Sequence, residues 1–483
     1  MPESQQHFRS LPYLSDTTMD IQQSLQSSMS DTSTLDQAMH EKEEDPESNQ
    51  TSLMAWFELA ALCALASSCS IMWLSFSVVT DVSVVWLNVN ISSVSWLGNA
   101  TALMYIFTSL ITGWFFEKYG VKNSMLVGAL FNMVGTWIRA IAIICPTGAR
   151  FPVAMLGQCI ASLGQPFVYN ITTKFASVWF SIRHRGTANT ILTAIPFGAA
   201  VATLVIPAVC KSVETFPYVL VGAGIYSTIV TIPFLIMPAL PKSQPSVTAG
   251  TERTPFLKGC RALFSSLNFW YLMIIFCMVM GLETSILTLL TPIMLPYGYT
   301  NNQAGIAGFV RLFSGFAAGT ITGPLIDKTG QHLLILRLFV PLLCLTYVMM
   351  YIQILPNALW VFCMANLLNG LFTLMLLPVI LELAIEITYP VSESLSTSML
   401  WASSQIMSFF ITLIMDKLRS GSDTTPPNNM DNALLFAMIL ACVGGLPILG
   451  FKGKLRRLAQ DKKISDQLAI RKSVHDEEQP NHE

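Results

Sequence analysis

Residues 113–120 read GWFFEKYG, and 210 positions later residues 323–330 read GPLIDKTG. Both stretches follow the pattern G-x-x-x-(D/E)-K-x-G, which pairs Gly113, Glu117, Lys118 and Gly120 with Gly323, Asp327, Lys328 and Gly330. We expect the first glycine to let two helices approach closely and the second to permit a tight turn. The alternative is a pair of ordinary loop signals. The repeat favours duplication, with two related halves in one chain.

Each half contains six apolar runs that are long enough to cross about 30 Å of hydrocarbon, which takes about 20 helical residues. The runs of the first half cover residues 55–79, 93–116, 123–145, 151–174, 187–210 and 216–239. Those of the second half cover residues 268–294, 304–326, 333–355, 359–385, 396–416 and 431–451. The sequence therefore predicts an all-α polytopic membrane protein with 12 transmembrane helices in two six-helix bundles.

The composition of the 483-residue chain agrees with a lipid environment, because 52% of the residues are hydrophobic and only 12% are charged. Soluble chains carry roughly 25% charged residues. A net charge of −2 offers no basic face to nucleic acid. The sequence contains no phosphate-binding loop, no H-E-x-x-H and no G-x-S-x-G, and its cysteines lack metal-ligand spacing. We expect no enzyme activity, catalytic residue, metal or cofactor.

Polar segments flank and divide the two halves. Residues 1–52 are predicted to be a disordered tail, since such a polar, acidic segment cannot bury enough apolar area to fold. The expected order is a first bundle at residues 53–240, a linker at 241–266, a second bundle at 267–452 and a polar tail at 453–483.

The basic residues near the ends of the apolar runs predict the orientation. If the N-terminus is cytoplasmic, sixteen Lys and Arg residues lie in cytoplasmic segments and four lie in outer loops. Both tails and the linker are therefore expected in the cytoplasm. In the absence of an organelle signal, the plasma membrane is the expected location.

Corresponding cytoplasmic loops of the two halves carry opposite charge. The loop after the fourth run is basic and contains Arg183 and Arg185, whereas the segment after the tenth run contains Glu382, Glu386 and Glu393. The 210-residue offset that relates the two motifs also carries Arg183 onto Glu393. We expect ion pairs between these loops that help to close a cytoplasmic gate. The alternative is that these charges are merely solvated loop residues.

Four stretches resemble a known family: GTWIR at residues 135–139, LGQCIASLGQPF at 156–167, KFASVWF at 174–180 and ELAIEITYPVSE at 382–393. The repeated loop motif resembles that of the major facilitator superfamily. The four stretches are similar to its feline leukaemia virus subgroup C receptor (FLVCR) family, a branch of the solute carriers. The resemblance implies two bundles that rock around a midplane site. It also implies a small substrate, since members are linked to choline, ethanolamine, haem and pyridoxine.

The resemblance further implies a substrate site. The family's choline site combines aromatic residues of spans 1 and 7 with Gln residues of spans 4 and 11, because aromatic faces hold a quaternary ammonium. The matching positions in this sequence are Trp73, Gln165 and Gln405. The span 7 aromatic is replaced by Thr284, and Glu283 stands beside it. Lipid or core packing for Trp73, and interhelical hydrogen bonding for the two Gln residues, are the alternatives.

Glu283 has three interpretations, since an acid within an apolar span is costly unless it is paired or hydrated. It could balance a cationic substrate, carry a coupling proton, or pair with Arg139 or Arg311. We expect a monomeric, multi-pass secondary transporter in the lipid bilayer for a small organic solute, with a choline- or ethanolamine-like cation favoured. Haem, pyridoxine or a carboxylate in the same fold, or a receptor that does not transport, are the alternatives.

The gate hypothesis predicts that an Arg183→Glu variant loses transport activity and that a Glu393→Arg exchange in the same chain restores it. The physical reason is that the first change places like charges opposite each other and the second returns an attractive pair. Uptake of labelled substrate into cells measures both variants. Unchanged uptake in the single variant, with no effect of the second exchange, would contradict the hypothesis.

Overall fold

A computed structural model describes residues 53–180, 197–238, 256–329, 331–354, 358–388 and 393–451, and isolated positions between and after them. The helices of the first half are α1 Leu53–Leu74, α2 Thr80–Leu87, α3 Ile91–Ile141, α4 Thr147–Tyr169, α5 Thr172–Trp179, α6 Phe197–Val209 and α7 Phe216–Ile236. A 3-10 turn at Ser77–Val79 lies between α1 and α2. The expected linker contains a short helix, α8 Phe256–Phe264. The second half contains α9 Leu267–Met294, α10 Asn301–Thr329, α11 His332–Gln353, α12 Leu359–Thr388, α13 Glu393–Lys417, α14 Asp431–Gly445 and α15 Pro447–Gly450.

Ten helices of the described residues are long and apolar enough to cross a membrane. The two remaining predicted spans, 93–116 and 187–210, correspond to the first arm of α3 and to α6. The described part of α6 has 13 residues, and the four positions before it lie outside the described residues. The observed helices therefore follow the predicted order along both halves.

The first predicted span, 55–79, is not one uninterrupted helix. α1 ends at Leu74, and the chain continues through a 3-10 turn into α2, which ends at Leu87. Hydroxyl groups explain the break, because Ser75 donates to the carbonyl of Met72 (2.9 Å) and Thr80 donates to that of Ser77 (2.7 Å). Such local bonds compete with the helical pattern. The break places a bend directly after Trp73.

Gly120 interrupts α3 between the predicted spans 2 and 3. Its backbone φ is 75°, a positive value that residues other than glycine rarely adopt because their Cβ atom clashes with the backbone. The expected tight turn at the second glycine of the first motif is therefore present. The corresponding Gly330 lies outside the described residues.

Glycines allow neighbouring helices to pack at backbone distance. A Cβ on Gly370 of α12 would overlap the carbonyl oxygen of Arg311 on α10, and a Cβ on Gly315 of α10 would lie 2.5 Å from the carbonyl oxygen of Gly370. In the first half, a Cβ on Gly157 of α4 would lie 2.7 Å from Cγ of Arg139. Small residues at helix contacts are the usual means of close approach in membranes.

The two halves are joined at the end of the molecule opposite Leu53 and Phe451, the first and last residues of the described ranges. We call this end the distal end. Ser95 of α3 donates a hydrogen bond to Asp416 of α13 (3.1 Å), and Asn99 donates to the carbonyl of Phe409 (3.3 Å). Asn301 at the start of α10 donates to Asp81 of α2. The described structure is therefore closed at its distal end.

We predict that Gly370→Ala lowers the thermal unfolding midpoint of the purified protein, because overpacking a tight contact costs about 1–3 kcal/mol. Gly222→Ala is the matched control, since a Cβ at this helical glycine of α7 meets nothing within 4 Å. Thermal unfolding in detergent measures both variants. Equal midpoints for the two variants would contradict the close approach of α10 and α12.

Candidate substrate site

The first half brings two predicted substrate residues to the same part of α1. Gln165 of α4 is buried, and its Nε2 donates to the carbonyl of Cys69 at 3.3 Å. Cys69 lies one turn before Trp73, so the two positions share a face of α1. Trp73 is half-buried and packs against the apolar core near the distal end. Trp73 and Gln165 therefore lie within about one helical turn of each other along α1.

The second half places Thr284 at an opening in an otherwise closed helix surface. Between Ile275 and Met294 of α9, every residue except Thr284 is buried. The side chain of Thr284 donates to the carbonyl of Met280 at 2.9 Å, which leaves its methyl group and hydroxyl oxygen available. Thr284 is therefore the accessible position of this part of α9.

The face of α9 that carries Thr284 is turned toward the first half. Thr288 and Thr291 follow at helical spacing on the same face. Thr291 donates to the carbonyl of Val78 at 3.1 Å, and Thr288 lies against Gly98, where an added Cβ could not fit. Both partners belong to the first half. Thr284 thus faces the interface between the halves, one turn farther from the distal end.

Gln405 lies on α13, which packs directly against α9. The hydroxyl of Ser285 donates to the carbonyl of Ser408 at 3.1 Å, and a Cβ on Gly281 would lie 3.2 Å from the side chain of Met407. Gln405 is half-buried beside this contact. Each half therefore contributes two of the predicted substrate residues: Trp73 and Gln165 from the first, Thr284 and Gln405 from the second.

Glu283 forms an ion pair with Arg311, so the third of its three interpretations describes its contacts in this structure. The Nε atom of Arg311 lies 3.0 Å and 2.9 Å from the two carboxylate oxygens, and Nη2 lies 2.5 Å from Oε2. The exposed fraction is 0% for Arg311 and 5% for Glu283. A planar guanidinium that binds both oxygens makes the strongest type of charge-assisted contact.

Arg139 is a second buried arginine, and its bonds are to α1 rather than to an acid. Its Nη1 donates to the carbonyl of Met72 at 2.8 Å, and Nη2 donates to the hydroxyl of Ser75. Its guanidinium carbon lies 4.7 Å from the ring centre of Phe76. A cation at a helix C-terminus is favoured by the helix dipole. Arg139 therefore caps the C-terminal end of α1, and its two bonds are to Met72 before Trp73 and to Ser75 after it.

The gate residues are placed only in part. Arg183 and Arg185 lie outside the described residues, as do the side chains of Glu117, Asp327, Lys328 and Glu393. Gly113 lies in α3, Gly323 lies in α10, and the half-buried Glu386 lies in α12. Glu382 is half-exposed, and its carboxylate is 3.4 Å from Nε2 of His332 at the start of α11. Lys118 lies 4.9 Å from the ring centre of Trp114.

The family follows from a match that covers most of the described chain. Residues 59–410 match the family model described as Major Facilitator Superfamily. Solute carrier family 49 member A3 of Xenopus tropicalis is 30% identical over 388 residues, which is 77% of this chain and 80% of the relative.

The chain belongs to the Major Facilitator Superfamily and, within it, to solute carrier family 49.

Other relatives of this chain have names that include a substrate. The choline/ethanolamine transporter FLVCR2 of Homo sapiens is 25% identical over 410 residues, 81% of this chain and 76% of that protein. The choline/ethanolamine transporter FLVCR1 of Felis catus is 28% identical over 371 residues, 72% of this chain and 64% of that protein. The sequence-based assignment to this family is confirmed.

Solved structures of the superfamily share the fold. The crystal structure of a D-xylose-proton symporter superposes with a TM-score of 0.64 and 13% identity, covering 82% of this chain and 99% of that one. The E. coli fucose:proton symporter FucP gives a TM-score of 0.57 with 14% identity, covering 83% and 100%. These likenesses confirm the predicted fold of two helical bundles.

Two buried charged residues were not assigned a role from the sequence. Arg139 was noted only as one of two candidate partners for Glu283, because no pattern connects it with the break in α1. Glu58 of α1 is fully buried, and no described residue donates a hydrogen bond to either carboxylate oxygen. The sequence signal that could have identified Glu58 is its position as an acidic residue within an apolar span.

We predict that Arg139→Met lowers the free energy of unfolding by about 1.5–3 kcal/mol, because the carbonyl of Met72 and the hydroxyl of Ser75 lose a charged hydrogen-bond donor. Arg150→Met is the matched control. Arg150 also donates to a carbonyl, that of Trp86 at 3.1 Å, and lies over an aromatic ring, but it is half-buried. Thermal unfolding should show the larger loss for Arg139→Met. An equal loss in both variants would argue against the cap.

Proposed function

We propose that this member of solute carrier family 49 is a secondary transporter that moves a small organic cation of the choline or ethanolamine type by alternating access. The observation that carries the proposal is that Thr284 faces the interface between the halves. In our proposal it forms one site with the aromatic ring of Trp73 and the amides of Gln165 and Gln405, so that both halves contribute to it. The names of the relatives FLVCR1 and FLVCR2 support the same substrate class.

The residue types suit a cation with a small polar group. A quaternary ammonium is held by an aromatic face rather than by strong hydrogen bonds. A hydroxyl on the substrate can be bound by the amide groups of Gln165 and Gln405. The guanidinium of Arg311 is already occupied by Glu283, so it offers no free positive charge to a carboxylate substrate. Arg311 therefore does not serve as the binding group of an anionic substrate in this proposal.

Closure at the distal end supports alternating access. In transporters of this architecture, one bundle rocks against the other around a central site. The bonds from Ser95 to Asp416 and from Asn301 to Asp81 link the halves at their distal end, beyond Thr284. Such side-chain bonds between rigid bundles can break as a set when the distal end opens.

The remaining parts of the proposal concern location and coupling. We propose a monomer in the plasma membrane with both tails in the cytoplasm, which places the distal end outside the cell. We also propose that substrate transport is coupled to proton movement. Substrate uptake is measured in vesicles with and without an imposed inward proton gradient, and equal uptake under both conditions would exclude the coupling.

Uptake of choline, ethanolamine, haem and pyridoxine into proteoliposomes that contain the purified protein tests the substrate class. We predict accumulation of the organic cations. For Trp73→Ala we predict a KM for choline that is raised at least about tenfold, because a desolvated cation–π contact contributes about 2 kcal/mol or more. Trp360→Ala is the matched control, since Trp360 is exposed on α12.

Each outcome of this panel has a distinct meaning. Binding of choline without accumulation would identify a receptor and contradict transport. Accumulation of haem or pyridoxine alone would keep the transporter and overturn the cation. An equal KM in wild type and Trp73→Ala would remove Trp73 from the site.

A further inference from the structure

The Glu283–Arg311 pair lies inside the second half and links four of its helices. Arg311 extends from α10, Glu283 from α9, and the Nη1 atom of Arg311 lies 3.3 Å from Oδ1 of Asn366 on α12. The same nitrogen lies 3.7 Å from the sulfur of Met350 on α11. The contacts of the pair are therefore with the second half and not with the first.

The backbone of Arg311 is held as firmly as its side chain. Its carbonyl oxygen is packed against Gly370 of α12, where no Cβ could fit. Ser314, one turn later, donates to the carbonyl of Leu367 at 2.8 Å. Because α10 is fixed against α12 in this way, the guanidinium occupies a defined position, and the carboxylate of Glu283 must come to it.

The position of Glu283 determines the direction in which the side chain of its neighbour Thr284 points. Successive residues of a helix point about 100° apart, so a carboxylate directed into the second half turns Thr284 toward the interface. The 5% exposure of Glu283 and the half-buried state of Thr284 agree with this division. If Glu283 left Arg311, a negative charge would become free next to the predicted substrate residues.

We propose that Arg311 is a positioning and specificity-determining residue: by binding both carboxylate oxygens of Glu283, it keeps that charge out of the substrate site and holds Thr284 toward it. Recognition of the ammonium group then depends on the aromatic face of Trp73 rather than on a carboxylate. The inference rests on the proposed function for the identity of the substrate, and on the contacts between Glu283 and Arg311 for the role of the pair.

The energetics of buried pairs supply a decisive comparison. Removing one partner leaves an uncompensated charge in an apolar interior, which is strongly destabilising, whereas replacing both partners with neutral groups is much better tolerated. Glu283→Gln and Arg311→Gln are therefore expected to be damaging alone and mild together. A carboxylate that served as the counter-charge of the substrate would behave differently, because its loss could not be repaired by changing Arg311.

The first experiment needs no substrate. Thermal unfolding midpoints in detergent are measured for wild type, Glu283→Gln, Arg311→Gln, the double variant, and Arg311→Lys. We expect each Gln variant to lose on the order of 10 °C, and the double variant to recover at least about half of that loss. Arg311→Lys should be intermediate, because an ammonium keeps the charge but cannot bind two oxygens in one plane. Additive losses in the double variant would overturn the pairing role.

The second experiment compares choline with its uncharged isostere, in which a tert-butyl group replaces the trimethylammonium. The quantity measured is the ratio of the KM of the isostere to the KM of choline. In Arg311→Gln the freed carboxylate should favour the cation, so the ratio should rise at least about threefold, and the double variant should return it to the wild-type value. A purely structural role would lower the maximal rate or the stability and leave this ratio unchanged.

The two experiments separate the two possible failures. If no substrate of the panel is transported, the proposed function fails, and the unfolding cycle still decides whether the pair holds α9. If choline is transported but Glu283→Gln and the double variant are equally inactive, Glu283 is the counter-charge and the inference is overturned. An unchanged KM ratio in Arg311→Gln would also overturn the specificity role.

Discussion

A charge inside a lipid-embedded bundle has no water to solvate it, so it is costly unless the protein compensates it. This constraint organises both halves of the molecule around one arginine each. Arg311 is bound by Glu283, Asn366 and Met350 and so links α9, α10, α11 and α12. Arg139 bonds instead to the carbonyl and hydroxyl groups exposed where α1 breaks. The positions of α1 and α9, which carry Trp73 and Thr284, both follow from how these two charges are satisfied.

The bonds of the two arginines lie beside two of the four predicted substrate residues. Trp73 follows Met72, whose carbonyl accepts from Arg139, and Thr284 follows Glu283, whose carboxylate accepts from Arg311. The guanidinium of Arg311 is directed into the second half, and that of Arg139 toward the end of α1 in the first half.

Several elements could be predicted because they depend on local chemistry. Apolar runs of about 20 residues specify membrane-spanning helices, and the repeated glycine–acid–lysine motif specifies a turn at Gly120, where the observed φ is 75°. The break after Leu74 was missed, because Ser75 and Thr80 are compatible with a helix and act through bonds that only the folded backbone reveals. The joint between the halves was also missed, since Ser95 and Asp416 are 321 positions apart.

The sequence by itself determined the membrane environment, the twofold repeat and the family, because composition, spacing and motif are properties of the chain, and it predicted the residues of the proposed site. It left the partner of Glu283 open between a substrate, a proton and two arginines. Only the tertiary structure decided for Arg311, because the choice depends on which guanidinium the packing of α10 against Gly370 brings within 3 Å of the carboxylate. Distances between helices are set by packing, and no sequence pattern encodes them directly.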